Sequence, residues 1–370
     1  MSSVHTAADV VRVLEAWAPP RLAMPGDPVG LQLGRLDKPV ETVWLALDTS
    51  LPVVQEAVAA GADMLVTHHE LFYRPLPKLD TTTIKGRTIA EALAHDLTIY
   101  AAHTNLDVAE GGVNDVLAAK LGLTDVDILD RLQDDRLRKL VVFVPESHHE
   151  QVLQAVCAAG AGHIGRYSHC TFNTPGEGTF LPLPGTQPFL GQVGQLERAA
   201  EVRLETVVPE SRLEAVVRAM LAAHPYEEVA YDVYPLEIMG KAYGIGRIGN
   251  LEKPLPLQEF AAQVRDALGL SHIRFGGEPD KRVQRVAVLG GSGGKWAAAA
   301  LAKGADVFVT SDCDHHTVAD AWLDGLAIID ATHAALERPV LEAMRQQLTD
   351  RLPGLSVRIS EVREDPFTWL

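Results

Sequence analysis

Two distant stretches, Gly61-Ala62-Asp63-Met64-Leu65-Val66-Thr67 and Gly304-Ala305-Asp306-Val307-Phe308-Val309-Thr310, share the pattern Gly-Ala-Asp-x-x-Val-Thr. An apolar run entered through a glycine turn and closed by threonine has the composition of a buried strand. After the first copy come His68 and His69, and then Leu97-Thr98-Ile99-Tyr100 leads into His103-Thr104-Asn105-Leu106-Asp107. After the second, Leu326-Ala327-Ile328-Ile329 leads into His333-Ala334-Ala335-Leu336-Glu337. In both places a strand-like run delivers an imidazole and, four residues later behind a leucine, a carboxylate. The chain repeats itself, and two related halves facing one another would pool hydrogen-bonding and metal-ligating groups in one cleft.

Working outward, residues 1–130 read as alternating helix and strand: a helix capped near Thr6, a glycine-rich turn at 26–34, then strands at 42–47 and 64–67 with helices between. From about residue 241 the alternation returns, with a helix at 257–268, strands at 283–289 and 306–309, and the loop Gly290-Gly291-Ser292-Gly293-Gly294. Strands alternating with helices predict an α/β layer structure. The block 131–240 differs in character and has a repeat of its own. Val144-Pro145-Glu146-Ser147 with Glu150, Val152 and Ala155 is echoed by Val208-Pro209-Glu210-Ser211 with Glu214, Val216 and Ala219. A strand, a Pro-Glu-Ser helix start and a helix, twice over, predict a ferredoxin-like βαββαβ module. Residues 176–194, dense in proline and glycine, predict a hairpin or long loop. The predicted architecture is a two-half α/β core, 1–130 and 241–370, with a small α+β domain inserted at 131–240.

The chain has 370 residues, 47% of them hydrophobic, enough for two or three domains with their own cores. A formal charge of -16 argues against a nucleic-acid partner, because phosphate backbones are bound by clustered Lys and Arg. An anionic substrate would need local positive charge, which a bound metal supplies. Three cysteines, Cys157, Cys170 and Cys313, form no CxxC pair and no even disulfide framework, so a reducing cytoplasm is expected. Asp9, Arg12 and Glu15 break up the N-terminus too often for a secretory segment, and no apolar run reaches membrane-spanning length.

His68 and His69 are adjacent, and neighbours in extended chain point to opposite sides. Both reach one metal only if the strand ends there and the loop turns; otherwise they serve two neighbouring metals, or one is solvated and the other caps a helix. His103 with Asp107, and His333 with Glu337, shift that balance. Imidazoles and carboxylates on loops at strand ends, arranged about an approximate two-fold, form the donor set of a two-metal centre with a bridging carboxylate. Ser311-Asp312-Cys313-Asp314-His315-His316 follows the second copy as His68 and His69 follow the first, and reads either as substrate-facing and supporting groups or as an exposed polar loop. Cys313 has no indicated general base, so a small buried thiol is the commoner reading than a nucleophile. The loop 290–295 fails the Walker A test, since its required first glycine falls on Leu289 and Trp296 replaces Ser or Thr; a tight strand-to-helix turn is expected.

These residues resemble the NIF3-like family, whose members are often named GTP cyclohydrolase 1 type 2 homologs. The resemblance rests on Thr67-His68-His69-Glu70-Leu71 with Pro75-Leu76, Ala102-His103-Thr104-Asn105-Leu106-Asp107 with Gly111-Gly112-Val113-Asn114, Thr310-Ser311-Asp312 with His316, and Asp330-Ala331-Thr332-His333 with Glu337. It extends to 159–168 and His224-Pro225-Tyr226-Glu227-Glu228, which are similar to the PII/CutA-like domain inserted in longer members. The resemblance implies two divalent metal ions, Zn, Mn, Fe, Co or Ni, held by His68, His69, Asp107, His333 and Glu337, with Asp107 as the bridge. His103 would be a further ligand or an acid/base, and His103 or His316 would shuttle a proton. It further implies a cytoplasmic homohexamer of toroidal form with its metal sites facing inward, and a metal-dependent hydrolase acting on a nucleotide such as GTP. The alternative is a metal- or metabolite-sensing binding protein without turnover. Two departures stand out: the family's usual Asp-Asn-Val-Gly-Leu is Asp27-Pro28-Val29-Gly30-Leu31 here, and the usual Gly of Thr-Gly-Asp is Ser311.

Overall fold

The Gly-Ala-Asp turn does the same work in both copies. Asp63 Oδ2 accepts from the backbone N–H groups of Glu41 (2.8 Å) and Thr42 (3.0 Å), and Asp306 Oδ2 from those of Gln284 (2.9 Å) and Arg285 (2.8 Å). Each aspartate thereby pins the start of the preceding strand beside its own. The equivalence continues past the strand, where Ala102 N–H donates to Thr67 O and Ala331 N–H to Thr310 O, both at 2.9 Å. A computed structural model describes residues 5–368. The first four and last two residues, at the outer ends of the expected halves, lie outside the described residues.

In the first half, strands Thr42–Ala46, Met64–Thr67 and Thr98–Ala101 run parallel, with Gly30–Leu33 antiparallel on the far side of Thr98–Ala101. In the second, Arg282–Ser292, Val307–Ser311 and Ala327–Asp330 run parallel, with Arg274–Gly276 antiparallel beside Ala327–Asp330. Each sheet therefore carries three parallel strands and an antiparallel neighbour. The sheets are not independent. The strand Ser356–Ile359, at the end of the second half, pairs in parallel with Thr42–Ala46 of the first. One buried cluster draws Leu14, Met64 and Tyr100 from one half and Phe308, Ile328 and Met344 from the other. Fully burying side chains of this size stabilises a fold by about 1.5–3 kcal/mol each, so the halves share their main source of stability.

The expected N-terminal helix is Ala7–Trp17, with Thr6 and Asp9 forming a reciprocal capping box. Residues 176–194 fall within the expected hairpin with a long loop: the strand Thr171–Phe180, which takes in Pro175, Gly176 and Gly178, pairs antiparallel with Glu197–Pro209 across residues 181–196. Thr171–Phe180 is an edge strand, pairing among the described residues with Glu197–Pro209 alone, and an edge is where a proline without an N–H is tolerated.

The chain divides into two compact units, 1–132 with 243–370, and 133–242. The second has four antiparallel strands in the order Tyr231–Pro235, Leu137–Pro145, Glu197–Pro209, Thr171–Phe180. Helices His149–Ala158 and Leu213–Ala223 pack on that sheet around Leu140, Val142, Leu204, Val152 and Val216. Among the described residues no helix is long and apolar enough to cross a membrane.

Candidate metal centre

Every donor of the cluster stands just past the carboxyl end of a parallel strand, where the hydrogen-bonded ladder stops and side chains are free to converge. His68 and His69 follow Met64–Thr67, and His103 and Asp107 follow Thr98–Ala101. His333 and Glu337 open and close the short helix His333–Glu337 after Ala327–Asp330. The strand ends before His68, as the shared use of the two imidazoles requires.

The cluster is tight. Ring centroids lie 5.0 Å apart for His68 and His69, 5.2 Å for His68 and His103, 5.5 Å for His69 and His103, and 5.3 Å for His69 and His333. Glu337 contacts three of the imidazoles: Oε1 is 3.6 Å from His68 Nε2 and 3.1 Å from His333 Nε2, and Oε2 is 3.1 Å from His69 Nε2. Asp107 Oδ1 is 3.6 Å from His68 Nε2. Two overlapping donor groups, His68/His69/His103 and His69/His333/Glu337, each place a set of ligand atoms within 4.8 Å of one another.

The orientation of the rings is set from behind. Nδ1 of His68 faces the carbonyl of Ala102 (2.9 Å), Nδ1 of His69 faces Asp48 Oδ1 (2.9 Å), and Nδ1 of His333 faces Asp312 Oδ2 (2.7 Å). An acceptor at Nδ1 fixes a proton there and leaves Nε2 as the donor atom toward a metal. His103 differs, since its Nδ1 meets two buried carboxylates, Glu70 Oε1 at 2.5 Å and Asp27 Oδ1 at 3.1 Å. Asp27 also accepts from the Thr104 N–H at 3.1 Å, so the Asp27-Pro28 segment still carries the carboxylate that holds this loop.

Two atoms of the cluster, His68 Nε2 and Asp107 Oδ1, are buried without a hydrogen-bond partner. A buried polar atom left unpaired costs about 1–3 kcal/mol. These two converge with Glu337 of the second half, and imidazole with carboxylate is the donor chemistry of a divalent transition metal.

Electrostatics describe the same site occupied by protons. Burial opposes charging His69, yet hydrogen bonds to Asp48 and Glu337 raise its pKa to about 11. Burial likewise opposes charge on His103 and His333, while their carboxylate partners raise them to about 10 and about 9. Burial pushes Asp107 up to about 6, aided by the nearby Glu337 charge. Glu337 is buried too, but His68, His333 and His69 hold it well below the usual carboxylate range.

Asn114, fully buried, links the halves behind the cluster: its Nδ2 donates to Asp107 O (2.9 Å) and its Oδ1 accepts from Gly290 N–H (3.0 Å). At Gly291 (φ +73°) a Cβ would stand 2.4 Å from Glu337 Oε1 and 3.3 Å from His333 Nε2, so only glycine fits there. The loop 290–295 is the expected tight turn. It walls a cleft of about 600 Å³ that also contains His103, Asp107, His333 and Glu337. The other wall residues include Lys295, whose Nζ sits 4.2 Å over the Trp296 ring, and that ring is held by Asp130 at 3.1 Å.

The structure thus brings His68, His69, His103, Asp107, His333 and Glu337 together. It does not bring in His316, which is exposed in the first turn of helix His315–Leu323 and belongs to none of the donor groups. Ser311, standing where the family's usual residue is glycine, does not adopt a left-handed backbone. It stays in the strand, donating to Gly291 O at 2.7 Å, and the left-handed residue is Asp312 (φ +57°), a type that tolerates it. Cys313 is buried with its thiol pushed up to about 12 by burial and by Asp330, which removes it as a nucleophile. Sequence reasoning missed Asp48, Glu70 and Asn114 as supports. Glu70 and Asn114 sat inside the quoted motifs, whereas Asp48 had no local signal.

The fold and the cluster together define a mixed α/β protein with an imidazole–carboxylate centre assembled from two parallel-sheet halves. The Duf34/NIF3 (NGG1p interacting factor 3) profile matches residues 5–366, and the chain belongs to that family. It is 47% identical over 364 residues, 98% of each chain, to a GTP cyclohydrolase 1 type 2 homolog of Halalkalibacterium halodurans. It is 45% identical over 374 residues, 100% of each chain, to a protein of the same name from Bacillus subtilis. Among solved structures it is similar to a Bacillus cereus protein related to NIF3, with a TM-score of 0.92 and 43% identity across the whole of both chains.

Proposed function

We propose that this protein is a metal-dependent hydrolase whose centre holds two divalent ions, with His68, His69, Asp107, His333 and Glu337 as ligands and Asp107 as the shared one. The observation that carries the reading is the convergence of two buried donor atoms without a hydrogen-bond partner, His68 Nε2 and Asp107 Oδ1, with Glu337 of the second half, 3.6 Å from His68 Nε2, beside an open cleft. When bound, the ions would supply Lewis acidity and a water acidic enough to attack near neutral pH. The chain's own residues do the rest. Ala102 O, Asp48 and Asp312 hold three imidazoles in register from their Nδ1 sides. His103, its Nδ1 committed to Glu70 and Asp27, holds and moves a proton at Nε2 beside the reacting group. That role falls to His103 and not to the exposed His316.

The substrate we infer is a nucleotide or related small molecule, in keeping with the name its relatives carry and with a cleft of ligand size. We also infer a homohexamer, and read 133–242 as an inserted ferredoxin-like domain of PII/CutA type. The strand order and the two Pro-Glu-Ser helix starts support the latter. The test is turnover against a nucleotide and phosphoester panel at defined metal loading. Metal-dependent rates that vanish in Asp107→Ala support the reading; saturable binding without turnover would make the protein a sensor instead.

A further inference from the structure

Glu201 is a buried carboxylate without a cation. It is 8% exposed, and Tyr226 Oη donates to its Oε1 at 3.0 Å. Among the described residues no Lys, Arg or His nitrogen forms an ion pair with it within 4.0 Å. His224, beside Tyr226 in sequence, does not compensate it. The Tyr226 N–H donates to His224 Nδ1 at 3.1 Å, so the ring proton sits on Nε2, which donates to Phe143 O at 3.0 Å, and burial holds the imidazole below its ordinary pKa. An ionised carboxylate out of water is strongly unfavourable unless a cation pairs with it.

Glu201 lines a pocket of about 590 Å³ within 133–242, whose walls include the rings of Phe143, Phe180, Phe189 and Tyr226. Phe180 and Phe189 stand 5.8 and 6.1 Å from Tyr226 between ring centroids. The lining carries four carboxylates and one guanidinium, and that guanidinium, Arg203, is itself paired with Glu205 at 2.9 Å. Two details make the arrangement specific. On the neighbouring strand, a Cβ at Gly178 would stand 2.1 Å from Glu201 Oε2, so glycine is what lets the carboxylate fold over that strand. The segment carrying Phe189 is tied down by the Gln187 N–H, which donates to Glu227 Oε2 at 3.1 Å.

Aromatic faces are the negative side of the ring quadrupole, and with a desolvated carboxylate they attract an organic cation more than a neutral molecule of the same shape. We propose that this pocket binds a small organic cation, an ammonium or quaternary ammonium group on an apolar or aromatic body, with its charge against Glu201. The site is separate from the metal cleft and depends on no property of it.

The test uses the full chain and an isosteric pair, phenyltrimethylammonium and tert-butylbenzene, followed by ligand-observed NMR. The cation should bind saturably, one per chain, and at least about tenfold tighter than the neutral isostere. Glu201→Gln should bring the cation to the level of the isostere while leaving tert-butylbenzene binding and metal content unchanged. Phe189→Ala, at a half-exposed ring whose loss spares the core, should weaken both probes. Equal affinity of the two probes for the wild type, a preference that survives Glu201→Gln, or no saturable binding of either would overturn the proposal. Should Glu201→Gln fail to fold, the wild-type comparison and Phe189→Ala decide.

Discussion

In the first half the repeated strand, Met64–Thr67, runs straight into two imidazoles; in the second, Val307–Ser311 is followed by Asp312, and neither Ser311 nor Asp312 belongs to the imidazole–carboxylate groups. Asp312 instead supports His333 from behind, at the same remove from the centre that Asp48 holds behind His69. The next strand of each half delivers the same pair, His103 with Asp107 and His333 with Glu337, yet the two pairs are used differently. Glu337 reaches three imidazoles, whereas His103 turns its Nδ1 toward Asp27 and Glu70. Repetition of a strand thus placed equivalent positions around one cleft, and divergence of the residues there divided the labour. The first half supplies most imidazoles, and the second supplies the carboxylate that gathers them.

Removing one ligand at a time separates the contributions of the two halves. We predict that Asp107→Ala loses both metals, while His68→Ala or His69→Ala weakens mainly one; metal stoichiometry by mass spectrometry decides, and a full complement in Asp107→Ala would end its bridging role. Next in size is the link between halves. Asn114→Leu removes both the hydrogen bond to Asp107 O and the acceptor for Gly290 N–H, leaving two buried groups unpaired. At about 1–3 kcal/mol for each such group, metal affinity should fall at least about tenfold with the fold retained, read by competition with a chelator of known affinity. Unchanged affinity would make the link ornamental.

Protons compete with metal at the cluster. In the metal-free cluster His69 and His333, raised to about 11 and about 9 by their carboxylates against the effect of burial, carry protons at neutral pH. A metal must take the place of those protons, so binding at pH 7 should release them and apparent affinity should rise with pH. Below pH 6 the Asp107 carboxyl, raised to about 6, adds a proton to displace and affinity should fall further. Calorimetry in buffers of different ionisation enthalpy counts the protons released; a count of zero at pH 7 would contradict this. The smallest effect concerns Lys295, the one lysine among the described residues of the cleft wall. If the substrate is anionic, Lys295→Gln should raise KM about tenfold with kcat and metal content unchanged.

Much of this was legible locally. A buried strand of four residues such as Met64–Thr67 announces itself by an apolar run between a glycine turn and a polar loop, and the donors follow it directly in sequence. What stayed hidden depends on contacts between distant segments. Nothing in Ser356–Ile359 says that it will pair with Thr42–Ala46. Glu364, which accepts from Leu47 N–H (2.6 Å) and Asp48 N–H (2.9 Å) while bound to Arg338 (2.6 Å), has no local signature either, though it steadies the loop behind His69. The extent of Thr171–Phe180 was hidden for the opposite reason, since its proline and glycines are turn residues that an edge strand happens to accommodate.

Whether one centre is built from both halves is read by thermal melting with and without chelator. A metal bound only by the folded protein adds stability by mass action, about 4 kcal/mol at a thousandfold excess over Kd, and here that stabilisation requires the halves to be docked. Chelation should therefore lower the Tm of the wild type clearly. Glu337→Ala, which removes the carboxylate contacting His68, His69 and His333, should start near the chelated value and respond little to further chelator. Equal responses of Glu337→Ala and the wild type to metal removal would mean that Glu337 is no ligand and that the carboxylate gathering the imidazoles of both halves plays no part in holding metal.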